Sequence, residues 1–175
     1  MRFAEKKSIY SLRFILTLLP VIMLMLLSQK MMSQEPPPRP ITVTVTGQSL
    51  SFGAFTHGTI GGTVTVSSGG LRSSTGDVIL LNLGYSFSSA LYEVVANPGT
   101  VVSLLNGPDV TLPGSNGGSL TLHIGNSDPV SPFVTNAVPP TATLLNVGGS
   151  LTVSNPAANP PGNYSGTFNI TFIQE

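Results

Sequence analysis

Few side chains in this sequence can do chemistry, and they do not converge. Past residue 33 there are two histidines, His57 and His123, and no cysteine. His123 lies in the run Ser119–Ile124 (SLTLHI), where Leu120, Leu122 and Ile124 alternate with it. Period-two geometry turns those three toward a core and His123 toward solvent. His57 follows Phe55 and Thr56 and is expected in a Gly-rich loop. A histidine there could ligate a metal, but no cysteine, second histidine or carboxylate stands near it in the chain. The acids Asp77, Glu93, Asp109 and Asp128 are scattered, whereas glycoside cleavage needs two carboxyls on one cleft. Serines are abundant, but there is no Gly-x-Ser-x-Gly elbow. Asn106–Asp109 and Asn126–Asp128 offer oxygens of the kind calcium uses, yet a calcium loop needs six to eight of them. Asn/Asp pairs of this sort more often form turns. Gly61-Gly62 and Gly117-Gly118 lack the Lys-Ser/Thr and the helix of a phosphate loop. Arg72 and Asp77 are expected to flank a turn and to pair across it. No catalytic residue, cofactor or metal site is expected, and the chain reads as a non-enzyme.

Charge excludes another class. Arg2, Lys6, Lys7 and Arg13 precede an uncharged run, Phe14–Leu27, of 14 residues. That is the length of a signal h-region and short of the roughly 20 residues of a membrane span. Residues 1–33 are therefore read as a signal helix cut after Ser33 (Ser28 is the other small residue available), with membrane contact only before cleavage. The remainder carries Arg39 and Arg72 against Glu35, Asp77, Glu93, Asp109, Asp128 and Glu175, a formal charge of −4. Binding nucleic acid needs clustered Lys and Arg, so that partner is excluded. The expected location is secreted, periplasmic or at a bacterial cell surface.

Residues 34–40 contain EPPPRP, an extended proline-rich leader. Residues 41–175 should form the folded domain. Short apolar runs rich in β-branched residues alternate there with turn signals such as Asn97-Pro98-Gly99 and Asn159-Pro160-Pro161-Gly162. Strands are expected at 41–46, 63–66, 78–83, 91–96, 100–105, 119–124, 141–147, 150–154 and 164–173. The implied fold is all-β, an antiparallel β-sandwich of seven to nine strands. A hexad recurs at Gly61–Val66, Gly117–Leu122 and Gly148–Val153, read as a glycine turn feeding a half-buried strand each time. The last run places Tyr164, Gly166, Phe168, Ile170 and Phe172 on one face. Phe168, Ile170 and Phe172 are expected to be buried.

Four stretches carry a family likeness: Leu50–Phe55, Gly61–Leu80, Asn106–Ile124 and Val147–Phe172. In their order, and in the closing PGNYSGTF, they resemble the secreted bacterial domain-of-unknown-function family 4402. The resemblance implies an immunoglobulin-like or pilin-like sandwich and transfers no catalytic residue. The function expected is a structural or adhesive surface protein, partnered by itself or by other surface proteins. The alternatives are a fimbria-like subunit polymerising by strand exchange and a carbohydrate-binding module. The first rests on Ile41, Val43 and Val45, which alternate with threonines directly after the leader. The second is disfavoured because tryptophan is absent and only Tyr85, Tyr92 and Tyr164 remain as tyrosines beyond the signal segment.

Overall fold

The computed structural model describes residues 40–175, so the signal helix and most of the leader lie outside the described residues. Twelve strands run through the described part: β1 (Thr42–Val45), β2 (Ser51–Phe52), β3 (Phe55–Val66), β4 (Arg72–Leu80), β5 (Phe87–Ser88), β6 (Ala90–Val95), β7 (Val101–Asn106), β8 (Val110–Pro113), β9 (Ser119–Asp128), β10 (Phe133–Val134), β11 (Thr143–Val153) and β12 (Ile170–Gln174). All named pairings are antiparallel. The fold is an all-β antiparallel sandwich, as the alternating runs imply. None of the described residues forms a helix long and apolar enough to cross a membrane.

β11 organises the larger sheet. One of its edges pairs first with β6 and then with β3, and its other edge pairs with β9. β1 extends the sheet beyond β6, β4 beyond β3, and β8 beyond β9. The smaller sheet has the order β10-β7-β12. The two pack face to face around one cluster. Val64, Val94, Leu145 and Val147 from the larger sheet share it with Val102 and Phe133 from the smaller. The Tyr92 and Phe172 rings meet across the gap, 5.5 Å between centroids.

The three hexads become neighbours. Gly149, Leu151 and Val153 of β11 lie beside Val66, Val64 and Gly62 of β3, and Leu151 also lies beside Leu122 of β9. Their inward residues form the middle of the core, because strands buried on one face and paired on both edges lose the most apolar surface to water. The glycines do different work from that expected. Only Gly117-Gly118 makes a turn ahead of its strand. The Gly61-Gly62 and Gly148-Gly149 pairs sit inside continuous strands at breaks in register. At Gly76 (φ +68°) an added Cβ would lie 2.1 Å from the Gly61 carbonyl, so the two backbones touch where no side chain fits.

Other boundaries also depart from expectation. The runs at 141–147 and 150–154 are one bulged strand, since a bulge, unlike a turn, lets the chain continue in direction. The strand count exceeds nine because β2, β5 and β10 are two-residue pieces too short to show periodicity and because β8, Val110–Pro113, was not expected. β4 begins at Arg72 instead of residue 78, its polar start, Arg72–Gly76, recruited by β3. Regular pairing of the final run begins only at Ile170. Phe168, Ile170 and Phe172 face the core but are half-buried, not buried.

Candidate functional site

A cleft of about 820 Å³ opens in the domain. Its floor is aliphatic: Leu112 of β8, Leu120 and Leu122 of β9, and Leu151 of β11. One wall is the chain from Ser49 to His57; the other is the loop and extended segment from Asn159 to Phe168. The floor follows from the hexad pattern, which turns every second residue of β9 and β11 inward. The walls need separate support.

Arg72 supplies the support for the first wall. Its guanidinium donates to the carbonyls of Phe52 (3.0 Å), Ala54 (3.3 Å) and Leu81 (3.1 Å), and it lies 4.5 Å over the Phe87 ring. A planar cation with five donors suits three carbonyls arranged around it. Asp77 does not pair with it, contrary to expectation. Both residues stand in β4, not across a turn, and a carboxylate of Asp77 accepts the Ile60 N–H at 2.8 Å. The other Asp77 oxygen is buried and has no partner among the described residues.

Asn159 shapes the second wall. Its side chain is buried, accepts from Ser154 N–H and donates to the Ser119 carbonyl. Its own carbonyl faces His57 Nε2 at 3.0 Å, while His57 Nδ1 faces the Gly58 carbonyl at 3.2 Å. A neutral imidazole can donate to only one of the two. The histidine stands in β3, paired with Val78, instead of in the expected loop, and thus ties that strand to the proline-rich loop across one end of the cleft. The Tyr164 hydroxyl donates to the Pro160 carbonyl at 2.6 Å, and burial pushes its phenol above the usual tyrosine range.

Beyond Tyr164 the wall is unusual. Ser165–Phe168 runs past Leu112, and Gly166 lies so close that a Cβ there would come within 2.6 Å of the leucine. Tyr164 pairs with Gly114 in an isolated antiparallel bridge, yet among the described residues no main-chain hydrogen bond is made by Gly166–Phe168. An alternating segment that should be half of a strand therefore borders the cleft with its hydrogen-bonding groups unused by the fold.

The residues singled out for strand exchange lie elsewhere. Val43 and Val45 pair with Val94 and Tyr92 of β6, and Ile41 N–H donates to Gln174 Oε1 at 3.2 Å. Val45 is 73% exposed although its register beside Tyr92 turns it to the inner face, since β1 is the edge strand beyond β6. His123 is exposed, as period two requires, and contacts Asp109 at 2.7 Å. That partner was not foreseen, because β8 and β9 bring residues 109 and 123 level. Contrary to the expected turns, Asn106 ends β7 and Asn126–Asp128 ends β9; Asn106 donates to the Ile124 and Gly125 carbonyls, and Ser127 to that of Pro129. Among the described residues no three His, Cys, Asp or Glu side chains gather as metal ligands.

The outer face of the larger sheet carries a second feature missed in the sequence. Thr75, Thr63, Thr152, Thr121 and Thr111 stand side by side across β4, β3, β11, β9 and β8. The first two join through their hydroxyls at 2.7 Å. The recurrence of the hexad was the available signal for three of the five, since its third and fifth positions are outward hydroxyl residues that antiparallel pairing brings level.

The model of a family described as a domain of unknown function, DUF4402, matches residues 41–173. No curated protein and no solved structure matches the chain.

Proposed function

The chain belongs to the DUF4402 family, and we propose that it acts outside the inner membrane as a non-enzymatic structural or adhesive protein holding extended polypeptide in its open cleft. One observation carries the reading: an aliphatic floor bordered by three residues, Gly166–Phe168, whose main chain makes no hydrogen bond among the described residues. Extended peptides bind this way, through main-chain hydrogen bonds to an open edge and alternate side chains in apolar pockets. Export is supported by the basic start and the 14-residue apolar run, Phe14–Leu27. The adhesive aspect draws on the uncharged threonine row, which presents hydroxyls at the regular spacing of neighbouring strands.

A fimbria-like assembly is the second reading, and the state of β1 favours it. Four residues paired on one edge, with Val45 mostly in solvent, make a strand that costs little to detach.

The sequence contains no cysteine, so Ser165→Cys creates a unique thiol at the cleft. Labelled with a photo-crosslinker in intact cells, it should yield a covalent adduct with polypeptide in the envelope or extracellular fraction. Finding the protein only in the cytoplasm would sink the export reading. Recovery from the envelope with no polypeptide adduct would sink the cleft.

A further inference from the structure

The position of the leader relative to the cleft identifies an occupant. Val43 is level with Val94, which is level with Thr143 at the start of β11. The cleft lies around the other end of that strand, where Leu151 forms part of the floor. Thr143 to Leu151 spans about 26 Å of extended strand at ~3.3 Å per residue. Residue 40 lies farther out still, past Ile41 at the Gln174 side chain. The four residues Pro37–Pro40 cover about 12 Å at ~3.1 Å each. They cannot reach the cleft of their own chain.

Their chemistry nevertheless suits it. Pro37-Pro38-Arg39-Pro40 has the spacing Pro-x-x-Pro, and such segments dock in grooves lined by aromatic rings because proline already fixes the extended backbone. The cleft is lined by Phe55, Tyr85, Tyr164 and Phe168 above its leucine floor. Tyr85 is 67% exposed, so its ring is open to a ligand. Prolines bring carbonyl acceptors and no donors. The N–H groups of Gly166–Phe168 are donors without acceptors among the described residues.

We propose that the cleft is the docking site for the proline-rich leader of a second copy of this chain, Pro37–Pro40, so that copies join head to tail. The proposal rests on the reading that the cleft holds extended polypeptide, and it names that polypeptide. Donor and acceptor are different surfaces at opposite ends of β11, so the contact is heterologous and grows into a chain unless its rotation closes a ring.

The exported protein retaining its leader is examined by sedimentation over a range of concentrations. Two variants accompany it. P37A/P40A removes the spaced prolines, which lie ahead of the first strand. Tyr85→Ala removes an exposed ring. Fluorescent peptides of residues 35–41 and 41–46 are titrated onto all three proteins, and thermal unfolding confirms that the variants are folded. The native protein should self-associate with rising concentration, and either variant should weaken that association about tenfold or more, the effect of losing one anchoring aromatic or its ligand. The 35–41 peptide should bind native protein and P37A/P40A alike, compete with self-association, and bind Y85A about tenfold more weakly. Absence of self-association, or equal binding of that peptide to Y85A, overturns the proposal. So does competition by the 41–46 peptide alone, which would leave the polypeptide-holding reading standing with β1 as the occupant.

Discussion

The centre of the larger sheet and its margins are written in the same alternating code and end in different states. In the centre, Val64, Val94, Leu145 and Val147 have no accessible surface. At one margin Val45 faces inward and is 73% exposed. At the other, Phe168 faces inward and is half-buried, on a segment whose main chain has no partner among the described residues. Alternation decides which face a residue occupies. Depth is decided by something nonlocal, namely whether neighbours cover both edges of the strand and whether the second sheet lies above it.

The largest test of that difference is at the centre. Leu145 is level with Tyr92 of β6 and has no accessible surface, so Leu145→Ala leaves a cavity in the middle of the core. A loss of about 3–5 kcal/mol is expected from urea unfolding. A loss below 1 kcal/mol would show that the centre is no better packed than the margins.

Arg72 comes next, because it connects centre to margin. Removing it leaves the carbonyls of Phe52, Ala54 and Leu81 without their donor and the Phe87 ring without its cation. Arg72→Ala should cost about 1.5–3 kcal/mol, the range for hydrogen bonds to a charged group. It should also expose the 49–57 wall to limited proteolysis before global unfolding. If cleavage there is unchanged, the wall is held by something other than the guanidinium.

Phe168→Ala should cost about 1–2 kcal/mol, well below the 3–5 expected of a fully buried ring, since much of the side chain already meets solvent. If the cleft is occupied in solution, the ring is covered and the cost rises with protein concentration. That dependence separates a margin bare by design from one bare only in the isolated chain.

Alkaline pH tests the same wall. Burial raises the Tyr164 and Tyr92 phenols, so the folded state favours their neutral forms. That contribution is complete below the ordinary tyrosine value near 10 and is lost as pH rises through the higher folded values. Stability should be flat up to about pH 10 and then fall, less steeply in Tyr164→Phe. A variant falling as steeply as the native protein would show that the Tyr164 phenol does not contribute.

The sequence made the fold class and the facing of the strands legible, because period two is a local property. His123 points outward and Leu120, Leu122 and Ile124 inward as the run SLTLHI requires. The pairing of residues far apart was not legible. Nothing local tells that three similar hexads become neighbours, that a glycine pair marks a bulge instead of a turn, or that Arg72 reaches three carbonyls instead of Asp77. The cleft escaped for the same reason. It forms where the segment before Ile170 fails to pair, and that failure is invisible in a run that alternates through residue 173.

The smallest expected effect is at Val45, and it bears most directly on the comparison. Its inward register beside Tyr92 would make Val45→Thr costly if facing alone set energetics. Threonine keeps the β-branched shape and strand preference of valine while adding a hydroxyl, so the substitution isolates burial from propensity. At 73% exposure the hydroxyl stays in water and no desolvation is imposed. The expected change is within about 0.5 kcal/mol, the range for surface positions. The same substitution at Val94, equally inward and without accessible surface, should cost several times more, because the hydroxyl would enter a core that offers it no acceptor. Equal effects at the two sites, measured by chemical unfolding of dilute protein, would mean that β1 is covered in solution and that the margin is not a margin.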